Sequence, residues 1–258
     1  MARSSFYYQI KKAGEPDGYE QIRKRIRKIY CKHHRRYGYR RITMELNAEG
    51  IKLNHKTVQK LMQGMGLHGL QKKRRYNSFR GRIGDVAPNV INRMFKTDAP
   101  CRKWTTDVTQ VCIHDKITYL SPILDMYNGE IVAYTISRSP SLEMVMSMLN
   151  KSLKKHPDTS GLILHSDQGW HYQHPLYQKA LKKHGIIQSM SRKGTCLDNA
   201  IMENFFGIMK NELLYLRSWD SIEQFERALR VYIKYYNNER IKLRLNGMSP
   251  VRYRAQYQ

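Results

Sequence analysis

The run Trp104-Thr-Thr-Asp-Val-Thr-Gln-Val-Cys-Ile113 is followed by an apolar stretch from Ile117 to Met126 and, across Asn128-Gly129, by Ile131-Val-Ala-Tyr-Thr-Ile136. β-Branched and aromatic residues fill these runs and Asn-Gly is the strongest two-residue hairpin signal, so three antiparallel strands are predicted. Downstream the period changes. Ser141 caps a helix reaching about Lys155, Leu162 to His165 reads as a buried strand, Pro175 to His184 as a helix, and Ile186-Ile187 as a further strand. Two amphipathic helices follow, one with Met202, Phe205, Phe206, Met209 and Leu213 on a stripe, the other with Ile222, Phe225, Leu229, Tyr232, Ile233 and Tyr236. The order is three strands and then alternating helix and strand, an α/β pattern.

Upstream of Lys103 the pattern is helical and basic. Ile22, Ile26 and Ile29 give one apolar stripe between Tyr19 and Arg36. Ile42 and Leu46 mark a second helix that stops at Gly50, and Asn54 caps a third carrying Val58, Leu61, Met62 and Met65. The reading is helix, turn, helix. Residues 71–94 are basic, interrupted by glycine and proline and without a period, so they are assigned as a linker. The expected division is a basic helical region over 1–70, a linker over 71–94 and a core with C-terminal helices over 95–258.

Charge narrows the partner. The 258 residues hold 46 Lys and Arg against 21 Asp and Glu, a net +25, with +16 of it in residues 1–80. A surplus of that size calls for a polyanion. Nucleic acid is preferred to membrane, because no apolar run approaches the ~18 residues that read as a span. The N-terminus has no apolar secretory segment, which points to the cytoplasm. Four cysteines, Cys31, Cys101, Cys112 and Cys196, lie far apart with no C-x-x-C pair, so neither a structural zinc site nor a disulfide framework is expected.

Three acids stand out. Asp107 falls on the first strand, Asp167 directly after the strand ending at His165, and Glu203 near the start of the penultimate helix. Sites in α/β sheets gather at the carboxyl ends of strands, and an aspartate within a strand needs a cation partner to justify its burial. Carboxylates suit Mg²⁺, a hard ion that prefers oxygen, and two such ions roughly 3.5–4 Å apart stabilise both oxygens of an in-line displacement at phosphorus. Taken singly, each acid is more often a satisfied turn or surface residue than a functional one. Gly207 and Lys210 lie one and two turns beyond Glu203 on its face, a place for a close neighbour such as a phosphate backbone, or for another helix.

Three blocks carry a family resemblance: Trp104-Thr-Thr-Asp107-Val-Thr, His165-Ser-Asp167-Gln-Gly-Trp-His-Tyr, and Ser191-Arg-Lys-Gly-Thr-Cys-Leu-Asp198-Asn-Ala-Ile-Met-Glu203 continuing to Lys210. With 35 residues between Asp167 and Glu203, and with Tyr235-Tyr-Asn-Asn-Glu-Arg240 and Met248 to Tyr253 near the end, the chain resembles the retroviral-integrase-like transposases encoded by the second reading frame of bacterial insertion elements. The resemblance implies an RNase H-like core with a mixed five-stranded sheet flanked by helices, preceded by a small all-α helix-turn-helix region. It implies a Mg²⁺- or Mn²⁺-dependent reaction, with two ions, on an acidic triad of Asp107, Asp167 and Glu203. It implies that Lys210 contacts the element's terminal DNA, and Arg192 and Lys193 join it as expected DNA contacts.

In the helix-turn-helix, the start of the recognition helix puts His55, Lys56, Thr57 and Lys60 toward base edges, while Arg40 and Arg41 hold phosphates. The partners implied are DNA, both element ends and target, a second copy of the chain or more, and the upstream-frame DNA-binding protein of the same element. Relatives are often made by frameshifting onto an upstream coiled-coil segment, and this chain opens without a heptad pattern. Two rival functions remain: a DNA-binding regulator with an inert core, which intact acids argue against, and a metal-dependent nuclease that cuts without joining.

Overall fold

The structure, a computed structural model, describes residues 18–70, 86–192 and 196–256. The chain divides into two compact units at Leu70/Gln71. In the first, α1 (Glu20–Lys32), α2 (Tyr39–Ala48) and α3 (His55–Gly64) bury Ile26, Ile29, Ile42, Leu46, Val58, Leu61 and Met62 against one another. α1 ends earlier than its charge pattern suggests, because His34 and Arg35 take positive φ and reverse the chain. That reversal buries Tyr37, whose ring stacks on His33 at 3.9 Å. Asn54 caps α3 as expected, accepting Lys56 N–H at 2.9 Å. Beyond α3 the chain returns so closely that a Cβ on Gly69 would lie 2.9 Å from Gly38 Cα.

The second unit is built on one sheet. Its strands are β1 (Lys103–Thr106), β2 (Thr109–Ile113), β3 (Lys116–Asp125), β4 (Ile131–Ser137), β5 (Ile163–Ser166) and β6 (Ile187–Met190). β1 and β2 both run antiparallel to β3 in one continuous register, Thr106 opposite Ile123 and Thr109 opposite Leu120. They are one strand interrupted at Asp107-Val108, so six segments make five strand positions. Continuing that register sets Pro122 across from Asp107, and a proline brings no N–H to a ladder. β4 pairs with the other edge of β3, and β5 and β6 extend the sheet in parallel beyond β1.

Alternation along the strands divides the core. Trp104, Ile123, Val132 and Leu164 face α4 (Leu142–Lys155), α5 (Trp170–Gln173) and α6 (Pro175–Lys183). Val111, Leu120, Leu124 and Ile131 face α7 (Ala200–Met209) and α8 (Ile222–Asn238). A short helix, α9 (Pro250–Ala255), follows. Ser141 and Ser221 cap α4 and α8 through their hydroxyls. Among the described residues no helix is long and apolar enough to cross a membrane.

The expected linker, residues 71–94, is described from residue 86 onward. Residues 71–85 lie outside the described residues, but the following segment lies along β6. Ser189 Oγ accepts Val90 N–H at 3.0 Å and Ile91 N–H at 3.3 Å, Pro88 O accepts Met190 N–H at 3.3 Å, and Ile91 is fully buried. Such a segment, held by backbone-to-side-chain bonds, has no period for a sequence pattern to display.

Candidate active site

β1 and β5 are parallel neighbours, and each β1 residue faces the β5 residue sixty positions on, Lys103 with Ile163 and Thr105 with His165. Carried two residues further, the register sets Asp107 level with Asp167, each just past its strand's end. Alternation turns both toward the face that α7 covers, where Thr105 Oγ1 donates to Asn199 Oδ1 at 3.0 Å and His165 Nε2 lies 2.9 Å from Asp198 O. Glu203 stands one turn into α7 from that contact.

Each aspartate accepts a nearby backbone N–H, Asp107 from Val108 at 2.7 Å and Asp167 from Gly169 at 2.9 Å. Both are only partly exposed. Burial drives the Asp107 carboxyl well above the usual carboxylate range, Asp167 and Glu203 push the same way, and Val108 N–H and the Lys210 ammonium oppose. Burial also raises Asp167, against the Gly169 N–H and His171. The three acids therefore share one electrostatic neighbourhood with Lys210, whose own pKa is lowered by burial and supported by Asp107. Among the described residues no three His, Cys, Asp or Glu side chains are drawn together tightly enough to cage an ion as they stand. Two of the acids rest on N–H groups of their own loops.

Two residues at this place went unassigned in the sequence reading, although both lie in the block around Asp167. Tyr172 is fully buried, its hydroxyl 3.5 Å from Thr106 Oγ1, and burial with Asp107 and Asp167 nearby keeps it protonated. His171 donates from Nε2 to Pro140 O at 2.6 Å and faces Asp167. A third, Asp198, organises the approach to α7. Buried, it accepts Asn89 Nδ2 at 3.0 Å, Arg93 Nε at 2.8 Å, and Arg192 N and Nε at 3.1 and 3.0 Å. His165 completes the clamp. Because a carbonyl only accepts, Nε2 carries the proton toward Asp198 O, and Nδ1 accepts from Ser189 Oγ at 2.9 Å.

The expected DNA contacts fall as follows. Lys210 opens a π-helical turn, Lys210–Leu214, at the end of α7. Arg192 is half-exposed with its guanidinium on Asp198, and Lys193 lies outside the described residues. In the first unit His55, Lys56, Lys60 and Arg40 are exposed and Thr57 is half-buried. Arg41 lies over the Tyr37 ring at 5.3 Å.

A five-position mixed sheet between helical layers, with acids past the ends of two central parallel strands and a third on the covering helix, defines an RNase H-like integrase core. Residues 97–196 and 203–257 match Integrase core domain families, and residues 19–75 match the HTH-like domain. Over 256 residues, 99% of this chain and 90% of the relative, it is 47% identical to InsK, named as a transposase for insertion sequence element IS150 in Escherichia coli strain K12. Over 233 residues, 90% of the chain and 92% of the relative, it is 33% identical to the transposase for insertion sequence element IS904 of Lactococcus lactis. Its fold is similar to the HTLV-2 integrase catalytic core domain, solved in complex with magnesium, with a TM-score of 0.51 at 17% identity over 62% of this chain and 99% of that one. The chain belongs to the family of insertion-sequence transposases, enzymes of DNA transposition.

Proposed function

We propose that Asp107, Asp167 and Glu203 are the acids on which this transposase cleaves the ends of its insertion element and joins them to new DNA. The observation that carries the reading is the shared level of Asp107 and Asp167 on adjacent parallel strands, with Glu203 and Lys210 within their electrostatic reach. Other buried acids of the fold are matched by donors: Asp198 by two arginines, Glu212 by Arg240, and Asp125 by Cys101 N–H, Trp104 Nε1–H and Tyr127 N–H. Asp107 and Asp167 each have one backbone N–H, from Val108 and Gly169, and Asp107 also lies in the repulsive field of Asp167 and Glu203. Their oxygen-only donor set fits Mg²⁺ or Mn²⁺, and a desolvated pair of like charges is the arrangement that a dication relieves. Two ions held by the three acids would stabilise charge on the attacking and leaving oxygens.

In the first step a water oxygen bonds to phosphorus as the P–O3′ bond breaks, freeing a 3′-hydroxyl on the element and leaving a 5′-phosphate on the flank. In the second, that hydroxyl oxygen attacks a target phosphodiester in line, and the target's own 3′-oxygen leaves. Asp107 and Asp167 fix the reaction centre on the rigid sheet, and Glu203 closes it from α7. Lys210 holds the element's terminal phosphate, a role its half-buried ammonium beside Asp107 supports. The first unit reads the element. Asn54 presents the start of α3, with His55, Lys56, Thr57 and Lys60 toward bases, while Arg40 and Arg41 hold phosphates. Two element ends must meet, so two or more copies act together.

The test is incubation of the chain with a labelled duplex bearing its element's terminal sequence, with and without Mg²⁺, beside Asp167→Asn. Metal-dependent nicks and joined products that vanish in the variant are expected. Nicks that survive in Asp167→Asn would sink the assignment, and nicks without joined products would reduce the chain to a nuclease.

A further inference from the structure

Three residues past Met209, the sequence places Glu212 on the apolar stripe of its helix. There it is buried, and a buried carboxylate requires a cation and donors of good geometry. Arg240, also buried and two residues beyond the end of α8, supplies both. Its Nε donates to Glu212 Oε2 at 2.8 Å and its Nη2 to Oε1 at 2.7 Å, a bidentate fork. Tyr232 Oη donates to Oε2 at 3.0 Å. The Arg240 guanidinium lies 5.5 Å from the centre of the Tyr236 ring, which meets Phe205 of α7 edge-on at 5.0 Å. The linkage runs from α8 to α7 with its charged centre on Glu212.

That carboxylate sits inside the π-helical turn, and Lys210 is the turn's first residue. π-Turns are rare, occur mostly as single turns, and cluster at functional sites. Glu203 and Lys210, seven apart, share one face of the helix; Lys210 N–H still bonds to Phe206 O and Gly207 O, so the lysine stem leaves from the end of α7, and the π-turn begins at its carbonyl, which accepts Tyr215 N–H at 2.8 Å. Anchoring the turn through Glu212 therefore anchors the end of the helix that carries Lys210.

We propose that the buried Arg240–Glu212 pair is a positioning device for Lys210, locking the π-turn so that the ammonium stays beside Asp107 at the reaction centre. The proposal rests on the acidic triad assigned above. It gives Arg240, Tyr232 and Tyr236, remote in sequence from the acids, a part in the reaction through Lys210.

The full chain is assayed under single-turnover conditions with its own element-end duplex and Mg²⁺. Glu212→Gln slows cleavage at saturating duplex about tenfold, and Tyr232→Phe, which removes one donor without stranding a charge, about threefold. In a Lys210→Ala background neither change slows the reaction further, the signature of residues acting through one another. A second readout needs no activity: acylation of Lys210 by an amine reagent, followed by mass spectrometry, speeds up several-fold in both variants. Losses that multiply with Lys210→Ala, or Lys210 acylation unchanged in Tyr232→Phe, would overturn the proposal. Asp167→Asn run in parallel separates the two ideas. If it still cleaves, the triad reading fails, while acylation of Lys210 continues to judge the pair.

Discussion

Asp107 and Asp167 occupy the same rung of two adjacent parallel strands, two residues beyond the Thr105–His165 pair and one beyond each strand's last residue. Neighbouring strands lie ~4.8 Å apart, so the fold forces two partly desolvated carboxylates into each other's field. That arrangement weakens the metal-free protein, and this gives the site a stability signature separate from its chemistry.

The sign follows from the titrations. Both carboxyls ionise at higher pH in the folded chain than the ordinary value of 3.8. Between 3.8 and the raised folded values the folded state therefore holds more protons than the unfolded one, and metal-free stability falls as pH rises through that window. Asp107→Asn removes part of the penalty. Its metal-free melting temperature at pH 7 should exceed that of wild type by about 2–4 °C for each kcal/mol relieved. Mg²⁺ should raise the wild-type midpoint and leave the variant's nearly unmoved, while cleavage falls at least ~100-fold. Calorimetry with and without Mg²⁺ checks this. A variant less stable than wild type without metal would mean that the two carboxylates do not oppose each other.

Gly169 has a single task beside this pair. A Cβ there would come 2.9 Å from Asp167 Oδ1 and 3.3 Å from the Tyr172 ring, while its own N–H donates to that same Oδ1. Its φ of −58° is open to any residue, so the constraint is space. Gly169→Ala should turn the Asp167 carboxylate off its N–H and slow cleavage about tenfold, the equivalent of ~1.4 kcal/mol in the barrier. Duplex binding, measured by anisotropy, should stay unchanged. Cleavage at the wild-type rate would mean that the carboxylate tolerates the shift.

Much of this was legible from residue types. Strand runs rich in β-branched residues, the caps Ser141 and Asn54, and the stripes on α7 and α8 each rest on local chemistry that the fold preserves. What stayed hidden depended on partners far away in the chain. Nothing near Asp198 announces that Asn89 and Arg93 will meet it, 109 and 105 residues distant, nor does Glu212 disclose Arg240. One signal was available: Glu212 interrupts an apolar stripe, and a carboxylate on a buried face must find a cation. The break at Asp107 was hidden for a related reason, since it depends on Pro122 in the facing strand.

His33 predicts an acid weakness in the first unit. It is buried and stacked on Tyr37, and burial, aided by Lys32 and other nearby cations, lowers its pKa to about 4. Glu45 Oε1 at 3.7 Å from Nε2 is too distant for a hydrogen bond and does not reverse this. Below pH 6.5 the unfolded chain takes up a proton that the folded imidazole refuses until about pH 4. Stability is therefore lost as pH falls across that window, by up to roughly 3 kcal/mol. His33→Phe keeps the stacking and should flatten the slope. Proton NMR of the imidazole and denaturant titrations at pH 7 and 4.5 measure it; a His33 titrating near 6.5 would rule the effect out.

The Asp198 clamp yields a prediction in which activity and stability part company. Its carboxylate holds Arg93, Arg192 and Asn89, its carbonyl oxygen receives His165, and the next residue, Asn199, receives the Thr105 hydroxyl. These bonds fix the turn from which α7 departs, so they set the position of Glu203 without touching it. Asp198→Asn preserves the shape but removes the charge, and turns an NH2 toward the donors that Oδ2 now receives, Asn89 Nδ2 and Arg192 N and Nε. Since Arg93 and Arg192 are themselves half-exposed, solvent screening keeps the loss well below that of breaking a fully buried pair. The protein should remain folded at 25 °C and yet cleave about tenfold more slowly, because the start of α7 is no longer pinned to β1 and β5. Raising Mg²⁺ should recover part of that rate, since the third acid is displaced and not deleted, whereas Glu203→Gln should gain nothing from added metal. If Asp198→Asn lost melting temperature but cleaved at the wild-type rate at every Mg²⁺ concentration, the clamp would serve the fold alone.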